Sequence, residues 1–280
     1  MTLNGIDGCR VISASTLSAF LLFLSGSSIQ ATPQSIGNGA LMSGLTAGVA
    51  FRDPFAAVNP SGAGSVRGSA VSIWMTRPFN ISDIKILGLS GMMSIGGLGI
   101  APRFRAFGFD EYQEYQLSVQ IGFPISREMG PVARLGFGIQ AHSKKTASNG
   151  FASSFVVRTG FLIPVAPNMD LGGTLSRSMG RTIHRSQSAL FGFAFRIHEE
   201  TSLYLDVFSE KRFRPSYRLG VSTTPVYPIS VQFGASTYPE KLSAGISVRS
   251  GPISGSVAVE YHMLLGTTTT IETTISPASF

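Results

Sequence analysis

The chain has 280 residues, of which 13% are charged and 32 are Gly, with a mean hydropathy of +0.23 and one Cys. Soluble domains carry about a quarter charged residues, so a protein this poor in charge and this apolar is neither a disordered chain nor an ordinary soluble enzyme. The net charge of +7 does not indicate a nucleic-acid partner, because the basic residues are scattered and only Lys144-Lys145 and Lys211-Arg212 are adjacent.

Residues 11–25, VISASTLSAFLLFLS, form an apolar run behind Arg10 and ahead of Ser-Ile-Gln-Ala, the layout of a secretory signal with cleavage after Ala31. A retained N-terminal anchor helix is the alternative, favoured by the weak charge of the leading segment. Cys9 precedes the run and would leave with it. Residues 32–68 are rich in Gly and Ala and contain three Pro, too irregular for helix or strand. They are expected either to fill the lumen of a barrel as a plug or to form a short periplasmic extension.

From residue 69 the chain alternates with a period of two, as strands between an apolar and a polar environment do. Strands are expected at 69–76 and 84–93, with one or two more between 95 and 109. Leu117, Val119, Ile121 and Phe123 then interleave with Gln116, Ser118, Gln120 and Gly122, and Leu135, Phe137 and Ile139 with Arg134, Gly136 and Gly138. Phe155, Val157 and Phe161 oppose Ser154, Arg158 and Gly160; Phe191, Phe193 and Phe195 oppose Gly192, Ala194 and Arg196; Leu203, Leu205 and Val207 oppose Tyr204 and Asp206. The pattern continues through Leu219, Val231, Ile246, Val257 and Ile271 to about 14 strands of roughly 9–11 residues, a length that crosses a bilayer when tilted. Turn signals separate them, including Ser148-Asn149-Gly150, Ala166-Pro167-Asn168 and Ser250-Gly251-Pro252. No segment after the leader is a spanning helix, and lipid admits only helices and closed barrels. A soluble sandwich would need more surface charge and the opposite polarity. The expected fold class is therefore all-β: a transmembrane antiparallel up-and-down barrel over residues 69–280. Phe280 matches the terminal residue of a barrel-assembly signal, although Pro277 interrupts the last strand.

Asp53-Pro54-Phe55-Ala56-Ala57-Val58-Asn59-Pro60-Ser61-Gly62, Arg77-Pro78-Phe79-Asn80-Ile81-Ser82 and Phe107-Gly108-Phe109-Asp110-Glu111-Tyr112 carry a family resemblance. They resemble signatures of FadL-type outer-membrane barrels and of the related PorV and PorQ proteins of type IX secretion. Ser61 and Asn80 depart from the usual Ala and Gly. The resemblance implies a 14-stranded barrel in a Gram-negative outer membrane with the Asn59-Pro60 element inside the lumen, where Pro60 removes a donor and Asn59 satisfies backbone groups; an ordinary turn is the competing reading of that pair.

No catalytic residue, metal site or cofactor is expected. The four His residues have no metal-ligand spacing, no Gly-x-Ser-x-Gly elbow occurs, and the glycines from Gly88 to Gly99 open no helix and serve strand curvature and close packing. His142-Ser143 and His262 remain as outer-face candidates for a barrel lipase. Arg134, Arg158, Arg196, Arg218 and Arg249, with Asp206 and Glu260, fall on the polar face and so in the lumen. There they either attract a carboxylate or other anion or pair into a network that fills a narrow barrel. Phe, Tyr and Trp74 are assigned to lipid-facing girdles. Three functions follow: passage of small hydrophobic or amphiphilic molecules, with residues 32–66 as a hatch; an accessory barrel that docks a secretion-system protein; or a passive structural barrel. The partners expected are outer-membrane lipid and, on the first reading, a hydrophobic or amphiphilic ligand.

Overall fold

Alternation of bulky apolar and small polar residues produces strands because each successive side chain points to the opposite face. In the computed structural model of the chain, fourteen such strands close on themselves. It describes residues 44–51, 58–109, 112–125, 132–146, 150–179, 186–211 and 213–276. The signal at 1–31, the first part of the 32–68 segment and the C-terminal Phe280 lie outside the described residues. In chain order the strands are β1 (Ser69–Arg77), β2 (Lys85–Ile95), β3 (Leu98–Phe109), β4 (Tyr112–Pro124), β5 (Arg134–Thr146), β6 (Gly150–Ala166) and β7 (Met169–Met179), then β8 (Gln187–His198), β9 (Thr201–Glu210), β10 (Ser216–Val226), β11 (Ile229–Thr237), β12 (Glu240–Ser250), β13 (Ile253–His262) and β14 (Gly266–Ile275). Each strand pairs antiparallel with its sequence neighbours, and β14 returns to β1 from Val71↔Ile275 to Arg77↔Thr269, so no edge is left open.

The rim holding the start of β1 and the end of β14 is called the lower rim, the opposite one the upper. Turns of two residues occur at both rims, as at 167–168, 199–200 and 251–252 below and 238–239 above, while the lower connection between β4 and β5 is longer, at 125–133. The region 95–109 contains a single strand, β3. Strand lengths run from 9 to 17 residues, longer than the uniform crossing length expected from sequence. β3 and β8 have 12 residues, β4 and β5 have 13 and β6 has 17; the outward positions at the upper ends of β4 and β5 turn polar at Gln113 and Lys145 and so stand clear of hydrocarbon. Between β2 and β3 the ladder skips from Ser90↔Arg103 to Met93↔Ile100. Pro102 sits in that gap and has no N–H to give.

The polarity is inside-out relative to a soluble barrel. Val71, Leu89, Leu117, Phe137, Phe155, Leu205, Phe233 and Ile271 are exposed on the outer wall, whereas Ser72, Thr76, Arg103, Gln116, Asp206, Gln232 and Thr270 are buried within. No helix among the described residues is long and apolar enough to cross a membrane. The exposed apolar side chains of the strands form the face suited to lipid. Leu117→Arg, a charge on that face near the middle of β4, is expected to destabilise the barrel in lipid by about 2–4 kcal/mol. A urea titration of the protein folded in vesicles, read by heat-modifiable gel migration, measures this; an unchanged midpoint would mean that Leu117 does not face hydrocarbon.

Candidate functional site: a lumen closed by the N-terminal segment

Residues 44–51 and 58–66 lie inside the barrel and follow its inner wall from β12 round to β3. At one end Ser243 Oγ donates to the Gly44 carbonyl at 2.8 Å, and Thr46 Oγ1 donates to the Leu219 carbonyl at 2.9 Å. The Gly48 and Val49 amides both donate to one carboxylate oxygen of Asp206, at 2.7 and 3.0 Å. Leu45, Ala47, Ala50 and Phe51 pack with Leu162, Ala194 and Tyr204 in an apolar cluster within an otherwise polar lumen. Further along, Asn59 Nδ2 reaches both the Val49 and Phe161 carbonyls at 2.8 Å, while its Oδ1 accepts from the Ser61 amide and hydroxyl. Asn59 thus caps the 3-10 helix Pro60–Ser65 and fastens it to β6, and Pro60 at its first position needs no hydrogen-bond acceptor. Ala63 and Val66 close the run against Ala70, Met92 and Ala101.

The wall admits this backbone because its inward side chains are missing there. Gly99, Gly122, Gly136 and Gly160 are directly paired across β3, β4, β5 and β6, which makes a bare strip four strands wide. A Cβ on Gly136 would overlap the Ser61 nitrogen, and one on Gly160 would overlap the Asn59 amide oxygen. Gly172 leaves the same room beside Val49 and Ala50, and Gly220 and Gly234 beside the Leu45 carbonyl. These glycines mark the track of the segment on the wall.

The eight residues proposed from sequence as lumen or ligand candidates do not converge on one site. Asn59 and Pro60 are buried in the segment itself. Arg158 and Arg218 face inward above it. Arg158 donates through Nε to Ser176 Oγ at 3.0 Å; Arg218 stands opposite Asp206 with its guanidinium 4.8 Å from the centre of the Phe208 ring. Glu260 pairs with Lys241 at 2.9 Å. Arg134, Arg196 and Arg249 lie at the lower rim. Arg196 holds the 167–168 turn through the Pro167 carbonyl at 2.6 Å and Asp170 at 3.5 Å, which makes it a brace for that turn.

Three assignments change. Trp74 belongs to the lumen and not to a lipid girdle: it is 1% exposed and lies across Gly88, which has no side chain to hold it off. His142 and His262 also face inward, opposite Gln116 and Lys241 in the strand pairing, so neither occupies an outer-face lipase position. Arg103 and Arg105, absent from the sequence candidates, are buried inward on β3. Their signal was present, because Ile100, Pro102 and Phe104 alternate with Ala101, Arg103 and Arg105. Near the upper rim Glu114 accepts from the Tyr112 hydroxyl at 3.0 Å and faces Lys144 at 3.6 Å and His142 at 3.7 Å. Among the described residues no group of three His, Cys, Asp or Glu side chains could hold a metal ion.

No protein-family model matches the chain, and no curated protein matches it in sequence. Solved structures do match in fold. The monoaromatic hydrocarbon channel CymD superimposes with a TM-score of 0.60 at 13% identity, covering 86% of this chain and 98% of that one. The Pseudomonas putida toluene transporter TodX gives 0.57 at 10% identity, covering 85% and 96%, and a Pseudomonas aeruginosa FadL homologue gives 0.54 at 11%, covering 89% and 99%. The PorV and PorQ part of the resemblance gains no support from these structures. The fold of this chain is that of the FadL-type and TodX-type outer-membrane barrels: a closed antiparallel barrel of fourteen strands.

Proposed function

We propose that the chain passes small hydrophobic or amphiphilic molecules across the outer membrane of a Gram-negative cell, with its N-terminal segment as the hatch. The observation that carries this reading is the seating of residues 44–51 and 58–66 across the lumen by a few hydrogen bonds on a glycine strip, separate from the strand ladder that holds the wall. A structural barrel could fill its lumen with wall side chains alone. A removable insert gives the same wall a closed and an open state. The described segment leaves the lumen at the lower rim, where Val66 leads into β1, and this reading takes that rim as the periplasmic one. CymD and TodX, which share the fold, are described as a monoaromatic hydrocarbon channel and a toluene transporter, which supports the passenger class. The secretion-accessory reading has no observation of its own.

The test is uptake in intact cells, because small apolar molecules cross phospholipid unaided and the outer membrane is the barrier at issue. Expression in a Gram-negative host is expected to raise the initial uptake rate of labelled toluene or octanoate severalfold, and deletion of residues 44–62 to remove the selectivity between these and bulkier solutes. Equal rates with and without the protein would end the proposal.

A further inference from the structure

The two sides of the barrel end differently at the upper rim. β4 and β5 run on to polar outward ends, whereas β13, β14 and β1 stop after 10, 10 and 9 residues. On that short side the connections are apolar. Met263, Leu264 and Leu265, the whole turn between β13 and β14, are exposed, Leu264 by 88%, and so is Ile81 between β1 and β2. Neither connection is loose. His262 Nδ1 accepts from the Leu264 and Leu265 amides at 3.1 and 3.3 Å, which fixes the turn while its side chains stay exposed. The Phe79 amide donates to Thr268 Oγ1 at 3.0 Å and the Phe79 ring stands edge-on to His262, so the β1–β2 connection is fastened to the heads of β13 and β14. Phe79 and Asn80 accept φ values of 53° and 54° in doing so. Large apolar side chains held this firmly in the open are costly in water and at home in a lipid leaflet.

Two cations flank this apolar rim. Arg77 ends β1 and Lys85 begins β2; both are exposed and outward, and they follow Thr76↔Ile86 in register, about 5 Å apart at the backbone. Thr269, the partner of Arg77, adds a hydroxyl. Asp83, the acid of the connection between them, accepts from its own neighbour Ser82 at 3.0 Å. Beneath the pair the wall is apolar, with Ile73, Leu87 and Leu89 exposed, so the long side chains can lay their stems on it and lift their charged heads toward the rim.

The same height is marked all round the barrel. Partners traced strand by strand from Ser69, at the foot of β1, reach Ser209 near the head of β9, a climb of about one residue per strand. Allowing for that climb, the outward residues Tyr115, Arg177, Tyr217 and Tyr261 fall level with Arg77 and Lys85, as an interfacial girdle does. Glu240 on β12 is the one outward carboxylate at the upper strand ends among the described residues. The lower halves of the described strands carry no outward Lys, Arg, Asp or Glu. The outer wall is therefore cationic at one rim and uncharged at the other.

We infer that Arg77, Lys85 and Thr269, beside the 263–265 turn, form a site on the outer wall for a phosphorylated, multiply acylated glycolipid of the outer leaflet. Two adjacent cations match the two charges of a phosphate monoester, and Arg in particular grips phosphate by its fork of donors. A zwitterionic phospholipid would bring its own ammonium up against them. Neighbouring phosphates at a leaflet surface also repel one another, which a cationic wall relieves. The inference rests on the apolar outer wall facing lipid and is independent of what the lumen carries. It places the upper rim at the cell exterior, which agrees with an N-terminal segment that leaves at the periplasmic rim.

The full protein, folded in non-ionic detergent at about 0.15 M salt, is titrated with bisphosphorylated lipid A and read by native mass spectrometry. Half-occupancy by the first lipid is expected at a concentration at least tenfold below that for phosphatidylethanolamine or for lipid A stripped of both phosphates. Combining Arg77→Gln with Lys85→Gln should abolish this preference. Arg67→Gln with Arg249→Gln, which removes the same charge from the lower rim, should preserve it. Migration of unboiled against boiled samples shows whether each variant is a folded barrel; should the upper-rim double variant fail that check, Lys85→Gln is titrated alone, with an expected loss of at least threefold. Equal occupancy by the three lipids, a preference that survives in the folded upper-rim variant, or its loss in the lower-rim variant would overturn the site. Displacement of lipid A by equimolar inorganic phosphate would overturn it by making this a site for free anions, and a dimer mass in place of the lipid adduct by giving the face to a second copy of the chain. None of these results bears on the cell-uptake test of passage, which stands or falls by itself.

Discussion

Gly136→Ala is expected to unseat the hatch. The added methyl would overlap the Ser61 nitrogen and the Pro60 carbonyl carbon, and neither is the far end of a flexible side chain that can swing aside. Overpacking a filled site costs about 1–3 kcal/mol, and the strain can be relieved either in β5 or in the segment. β5 is bonded along its whole length to β4 and β6, whereas the described part of the segment is held by side-chain hydrogen bonds and apolar packing and by no strand ladder, so the segment gives. Ala is no worse than Gly in a strand, which leaves the wall intact and still heat-modifiable on a gel. Single-channel recording in planar bilayers should show a larger and more frequent open conductance than in the parent protein. Gly255→Ala is the control, since nothing lies within 4 Å of a Cβ there, and it should be silent. A parental conductance in Gly136→Ala would mean that the strip is not where the hatch is held closed.

The same strip shows what the sequence made legible. Strand number, polarity and closure rest on a local signal: the two-residue period recurs along the strands, in a chain poor in charge and with no long apolar run beyond residue 31. The placement of Arg158, Arg218 and Glu260 on inward faces was readable from the same alternation. That Arg134, Arg196 and Arg249 sit at the lower rim was not, because height in a barrel depends on strand stagger, which is fixed by pairing between strands. Trp74 was misassigned for a related reason. Its neighbours Ile73 and Met75 frame it correctly as inward, but a large aromatic is inward only where something makes room, and the Gly88 that does so belongs to another strand. The glycines of the strip were visible one by one as small members of polar faces. Their alignment, Gly99 to Gly122 to Gly136 to Gly160, exists only in the register.

Asp206→Ala is expected to loosen the hatch at its other anchorage. Asp206 is 3% exposed and accepts from two consecutive backbone amides, Gly48 and Val49, through one oxygen. Hydrogen bonds to a charged group contribute about 1.5–3 kcal/mol each, and losing the acceptor leaves both amides buried and unmet. Burial of the carboxylate offsets part of this, so a net loss near 3 kcal/mol is the working figure, which corresponds to about a hundredfold more frequent release of this end. Arg218, opposite Asp206 on β10, would lose its nearest counter-charge, which adds to the effect. Ala50→Cys provides the readout: Ala50 is 1% exposed, and Cys9, the chain's one cysteine, can be replaced by Ser beforehand. Alkylation of Cys at position 50 by a water-soluble maleimide should be slow in the parent background and roughly a hundredfold faster with Asp206→Ala. Asp206→Asn retains an acceptor oxygen of lower strength and should fall between the two. If the strip and Asp206 hold one body, combining Gly136→Ala with Asp206→Ala should add less to the labelling rate than the two separate effects together, since a segment already released at one anchorage has less left to lose at the other. Full additivity would instead mean that residues 44–51 and 58–66 open independently, and the lumen would then be closed by two gates in series.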